Sequence, residues 1–221
     1  MRILLATAAL DDIRWALDNG LADGVTTTPS MLADAASEGD AREHLAEICR
    51  LTGLPVSVGV GAIDAGDIYR DGRELAKLSE NIVVQVPLIE DSIGAMRKLS
   101  SEGVRVGATY VFNAAQALLA AKAGASTVTT PVDQLDVYGL DAFAMLSEIH
   151  AIFANGADEC DVVATGVSNA TTFAACALAG ADAVALPTKM LRALLLHPLT
   201  DRGVDQMLSD LSKRPKARLT T

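Results

Sequence analysis

Val104-Arg105-Val106-Gly107-Ala108 and Ser126-Thr127-Val128-Thr129-Thr130 are short β-rich runs, and a helical pattern that stops at Gly124 separates them. Glycine just past a helix end and Lys122 in its last turn suit helix termination, the first by backbone freedom and the second by complementing the dipole. A strand, a helix and a second strand in this order form a βα unit of a parallel sheet. Outward in both directions the same alternation repeats. Eight strands are expected: Arg2 to Ala6, Gly24 to Thr26, Pro55 to Gly59, Ile82 to Val86, Val104 to Ala108, Ser126 to Thr130, Asp161 to Thr165 and Ala183 to Leu186. Several are apolar on both faces, as strands between a barrel interior and an outer helical ring must be.

The intervening segments carry helical spacing, for example Leu10, Ile13 and Leu17, or Leu45, Ile48 and Leu51. Thr28 before Pro29 reads as an N-cap followed by proline at the first helical position, and Gly103 and Gly180 fall at further helix ends. Eight such units in about 200 residues predict an α/β fold, a (β/α)8 TIM barrel with its site at the carboxyl ends of the strands. An open doubly wound sheet is the alternative left by periodicity. The lack of Gly-x-Gly-x-x-Gly after the first strand speaks against its dinucleotide-binding version.

The 221 residues suit a single domain over 1–221, and a hydrophobic content of 50% supplies a sizeable core. Eighteen basic against 28 acidic residues give a net charge of −10, which argues against nucleic acid and anionic membranes as partners. Lys213, Arg214, Lys216 and Arg218, around Pro215, read as a solvated terminus. Cys49, Cys160 and Cys176 are far apart, show no Cys-x-x-Cys spacing and lie in apolar segments, which suits small buried hydrophobes in a reducing cytoplasm. The apolar start at Ile3 is short and meets Asp11 and Asp12 at once, so it reads as a first strand rather than a signal peptide. No run approaches the roughly 18 apolar residues of a membrane span.

Four segments resemble the transaldolase family, in particular its short branch that includes fructose-6-phosphate aldolases. They are Gly24-Val25-Thr26-Thr27-Thr28-Pro29-Ser30, the run from Asn81 to Pro87, the run from Thr109 to Ala125, and His197-Pro198-Leu199-Thr200-Asp201-Arg202-Gly203. They occur in the family's order and spacing over nearly the whole chain. The resemblance implies a barrel with a C-terminal helix extension, placed at about 203–213 with a tail over 214–221. It also implies a homo-oligomer, a pentamer or decamer, with that helix reaching a neighbour. The family's chemistry is reversible aldol cleavage through a lysine imine.

By this resemblance the lysine's place belongs to Gln85. An amide is neither nucleophilic nor basic, so Gln85 is either a ligand contact or a polar filler satisfied inside the barrel. Other family positions differ as well: aspartate is replaced by Ala6, asparagine by Thr28, a glutamine or glutamate by Gly59, an aromatic by Pro131, a phosphate-binding arginine by Gln134, and a serine by Gly166. Thr109 is retained. The loss of several groups that act as a unit points to a different chemistry or to none.

The expected ligand-binding residues are Thr27, Thr28, Gln134, Gly166, Ser168, Asn169 and Thr188. Backbone N–H groups before the helix at Ser168 and Asn169 suit an anion, to which Lys189 adds charge, although capping alone explains both residues. Lys189 is also the candidate for a relocated imine. Asp133, Asp136 and Tyr138 are candidate bases for an enolising isomerase or epimerase. His44, His150 and His197 share no ligand spacing, and Glu90, Asp91, Asp133 and Asp136 read as solvated or capping acids; no metal and no cofactor is expected. The expected partner is a small polar or phosphorylated molecule: a sugar-phosphate-like or carbonyl ligand, taken without lysine-imine chemistry. An inert binding or regulatory barrel and an orthodox aldolase using Lys189 are the alternatives.

Overall fold

The computed structural model describes residues 1–36, 39–156 and 159–213. Its strands are β1 (Arg2–Ala6), β2 (Gly24–Thr27), β3 (Val56–Gly59), β4 (Ile82–Pro87), β5 (Val106–Thr109), β6 (Ala125–Pro131), β7 (Asp161–Thr165) and β8 (Ala183–Leu186). Every pairing is parallel, and β8 returns to β1 to close a barrel in sequence order. Around it run α1 (Leu10–Asp18), α2 (Pro29–Ala36), α3 (Ala41–Thr52), α4 (Ala65–Ala76), α5 (Glu90–Ser101) and α6 (Ala114–Lys122). They are followed by α7 (Val132–Val137), α8 (Ala142–Asn155), α9 (Ala170–Leu178), α10 (Thr188–Ala193) and α11 (Pro198–Lys213). Closure excludes the open doubly wound sheet.

Where boundaries moved, backbone chemistry explains the shift. The Val104 N–H bonds to Leu99 O, the end of α5, so β5 begins two residues later than its apolar pattern suggests. Pro55 has no N–H to give to a ladder, and β3 begins after it. The last helix starts at Pro198 rather than near Gly203: His197 Nδ1 accepts from the Leu199 N–H, and proline suits the first turn. Of the basic tail, Lys213 ends α11, while Pro215, Arg214, Lys216, Arg218 and the rest of the 214–221 tail lie outside the described residues.

The main core fills the annulus between sheet and helices, with Leu5, Ile13, Ile48, Met96, Leu146 and Leu186 fully buried in it. Local caps agree with the sequence. Thr28 Oγ1 accepts from the Met31 N–H ahead of α2, and Asn113, Asp141 and Asn169 cap α6, α8 and α9. The Arg192 guanidinium lies 3.8 Å from the Trp15 ring centroid and ties α10 to α1 across the closing seam. No helix of the described residues is long and apolar enough to cross a membrane.

Burial pushes the Cys176 thiol up to about 11 and raises that of Cys49. Below pH 9 the native Cys176 thiolate fraction is therefore about a hundredfold below that of the unfolded chain. Labelling by a thiol-exchange reagent should be slower in the fold, because the thiol is fully buried as well as more protonated, as peptide mapping of native and urea-unfolded protein would read. The folded pKa is raised, so this thiol's contribution to stability is full below pH 9 and is lost as pH climbs towards 11.

Candidate functional site

Alternation along each strand sends every second side chain into the barrel, and at the carboxyl ends these enclose a cavity of about 470 Å³. That size lies within the usual range for small-molecule sites. From β2 and β3 come Thr26, Ser57 and Gly59, with Thr27 at the end of β2, and from β4 and β5 come Gln85, Pro87 and Thr109. The β6 strand contributes Thr127, Thr129 and Pro131, two residues apart as the pleat requires. Leu4, Ala6, Val163, Thr165 and Ala185 complete the wall from β1, β7 and β8, with Thr28, Tyr110 and Gly166 at the mouth.

Gln85 is 8% exposed and its Nε2 donates to Ser57 Oγ at 3.2 Å, while its Oε1 has no protein partner among the described residues. Its neighbours in register are glycines, Gly59 on β3 and Gly107 on β5. This absence of side chains lets the amide lie over Gly107: a Cβ there would overlap both the Gln85 amide and the Thr127 hydroxyl. Thr127 Oγ1 is also buried without a partner among the described residues. We expect Gly107→Ala to cost about 1–3 kcal/mol by overpacking. Urea denaturation would measure this; an unchanged midpoint would show that the amide moves aside freely.

The residues expected at the site divide sharply. Gln85, Thr27, Thr28, Thr109 and Gly166 line the cavity, and Thr27 Oγ1 donates to Ser57 O at 3.3 Å. Asp133, Gln134 and Asp136 lie on α7 with Tyr138 just after it; all are exposed, and none lines the cavity. Gly166 takes a left-handed φ of 77°, and a side chain there would overlap the Asp133 carboxylate. Asn169 Oδ1 accepts from the Thr172 N–H, and its Nδ2 donates to Ser168 Oγ, so both are engaged at the start of α9 outside the cavity wall. Thr188 and Lys189 open α10, the first buried and the second exposed, and neither is a lining residue.

Sequence reasoning passed over Ser57, Thr127, Thr129 and Tyr110. The two threonines were legible in principle, because i and i+2 on a barrel strand share a face. Tyr110 was not: it lines the mouth with φ of 60°, a left-handed conformation uncommon for a bulky residue. The following turn is fixed by Val111 N–H on Thr129 O and by Gln116 Oε1, which accepts from Phe112 N–H at 2.8 Å.

The histidines lie elsewhere. His44 Nε2 meets Ala8 O at 2.7 Å, His150 packs over Gly180, and His197 caps α11. Glu90 and Asp91 are exposed in the first turn of α5. Among the described residues, the cavity lining holds no lysine, arginine, histidine, aspartate, glutamate or cysteine. Gln85 supplies its sole side-chain nitrogen. The wall can therefore exchange hydrogen bonds with a polar molecule through hydroxyls and one amide.

The sequence pattern of the family described as transaldolase/fructose-6-phosphate aldolase matches residues 3–219. A probable transaldolase of Desulforapulum autotrophicum is 38% identical over 97% of this chain and 99% of its own. One from Hyphomonas neptunium is 40% identical over 96% and 98%, and one from Herpetosiphon aurantiacus 40% over 98% and 97%. With the closed eight-stranded barrel and a cavity at its carboxyl end, these matches place the chain in the transaldolase/fructose-6-phosphate aldolase family.

Proposed function

We propose that this barrel binds or acts on a small carbonyl or sugar-phosphate-like ligand of carbohydrate metabolism, in the cytoplasm and as a homo-oligomer, without lysine-imine chemistry. One observation carries the reading: the sole side-chain nitrogen in the cavity lining, among the described residues, is the Gln85 amide. An amide nitrogen cannot add to a carbonyl to give an imine, but the amide can orient a ligand oxygen. Family membership supports the ligand class, and the oligomer is supported by α11, none of whose residues is buried.

A catalytically inert binding or regulatory barrel is favoured by the absence of carboxylate or imidazole from the lining, the usual groups for proton transfer. The orthodox alternative needs Lys189, which is exposed and outside the lining. Borohydride trapping with dihydroxyacetone and fructose 6-phosphate decides between imine and non-imine chemistry. Intact mass should show no adduct on the native protein while a lysine-bearing relative is labelled in parallel. An adduct mapped to Lys189 would overturn the proposal.

A further inference from the structure

We infer that the cavity selects an uncharged polyhydroxy ligand over its phosphate ester, gripping it between a hydrogen-bonding wall and an apolar one. The inference rests on the proposed reading that this cavity is the binding site, and it narrows the class of ligand. Thr26, Ser57, Gln85, Thr127 and Thr129, from strands β2 to β6, form the polar side. Opposite them, Leu4, Ala6, Val163 and Ala185, from β1, β7 and β8, line the cavity, with Thr165 as the hydroxyl on this side; Leu4, Val163 and Ala185 belong to an apolar cluster separate from the main core. A polyol has this same duality: hydroxyls that exchange hydrogen bonds, and C–H surface that gains by leaving water.

Two buried atoms specify the polar contact further. Gln85 Oε1 and Thr127 Oγ1 lack a protein partner among the described residues and are closed off against Gly107, so a rotation of each side chain must turn it to the ligand. Gln85 Oε1 only accepts, so it asks for a donor; a ligand carbonyl has none to give, whereas a hydroxyl does. Turning the amide end for end would expose Nε2 instead, and a hydroxyl would serve that orientation too, because it both donates and accepts. The Thr127 hydroxyl can bond the same ligand oxygen or its neighbour.

Charge argues in the same direction. Among the described residues no cationic side chain lines the wall. The carboxylate set against the wall at Gly166, that of Asp133, is of the wrong sign for a phosphate. A phosphate drawn inside would shed water without a countercharge, which is strongly unfavourable.

The test is titration of the native protein, followed by NMR, with D-fructose and D-fructose 6-phosphate, then repeated on Thr127→Val and Thr127→Ser. Fructose should bind at least tenfold tighter than its phosphate. Thr127→Val should lose at least tenfold in fructose affinity while the ligand-free melting temperature stays level or rises, since the buried hydroxyl it removes has no partner to lose. Thr127→Ser, which keeps the hydroxyl, should bind within about threefold of native. A purely structural Thr127 would move the melting temperature and leave affinity alone, overturning the assigned contact. Equal or tighter binding of the phosphate would overturn the inference yet leave the cavity as a sugar-phosphate site, whereas failure of the native protein to bind either sugar would remove both readings.

Discussion

Replacing Gln85 with lysine should convert a protein that resists borohydride trapping into one labelled by dihydroxyacetone at about one adduct per chain, mapped to the peptide containing position 85. The new amine would stand between Gly59 and Gly107, with Ser57 and Thr127 beside it, so it has room without displacing a neighbouring strand's side chain. No carboxylate in the described lining offsets its burial, which should push it below the ordinary lysine value of about 10.4 and free a lone pair near neutrality. The neutral amine adds to the ketone carbon, water leaves, and hydride from borohydride reduces the C=N bond. The mass therefore rises by that of the ketone, less water, plus two hydrogens. Cleavage of fructose 6-phosphate should remain roughly 10²–10⁴-fold below that of a lysine-bearing relative, because the lining carries no carboxylate or imidazole to move the proton. The variant's stability relative to native should also rise with pH: its folded pKa is depressed, so the penalty is full at low pH and fades as pH approaches the unfolded lysine value. A folded Gln85→Lys protein that takes no label would show that a carbonyl does not reach position 85.

That experiment depends on a position the sequence made visible, and the reason is geometric. Strand ends in a parallel barrel are bounded by helix caps, and those caps are written in local chemistry: Thr28 with Pro29, Asn113, Asn169, Gly124 and Gly180. Once the ends are located, residues such as Thr27, Gln85 and Thr109 fall at the mouth by counting alone. Loop side chains follow no such rule. Asp133, Gln134, Asp136 and Tyr138 follow β6 in sequence, but on and after α7 they are exposed and outside the lining, with the Asp133 carboxylate reaching only the back of Gly166, and Asn169 is engaged by its own helix. Neutral hydroxyls in strands were passed over because threonine and serine are at home in any strand. Ser57 and Thr127 acquire meaning only when Gln85 is seen lying between them over a glycine.

Charge placed on the last helix should dissolve the proposed homo-oligomer. Val204, Met207, Leu208 and Leu211 fall at i, i+3, i+4 and i+7 and make one apolar stripe on α11, yet all four are exposed. An amphipathic helix with no buried residue in its own chain lacks the packing that ordinarily stabilises a helix, so we propose that a neighbouring copy covers this stripe. Full burial of a leucine stabilises by roughly 1.5–3 kcal/mol. Leu208 and Leu211 are 55% and 62% exposed, so covering both contributes about 1.7–3.5 kcal/mol, and the double substitution Leu208→Glu with Leu211→Glu should weaken each contact roughly twentyfold to four-hundredfold, before the added cost of burying two carboxylates. Light scattering coupled to gel filtration should show the native oligomer replaced by a single chain at micromolar concentration. The barrel's far-ultraviolet signal should persist, because the main core lies between sheet and helices and does not involve these residues. An unchanged mass would mean that the stripe is not the interface. Loss of the barrel signal together with the oligomer would mean that the closed sheet itself depends on the neighbouring copy.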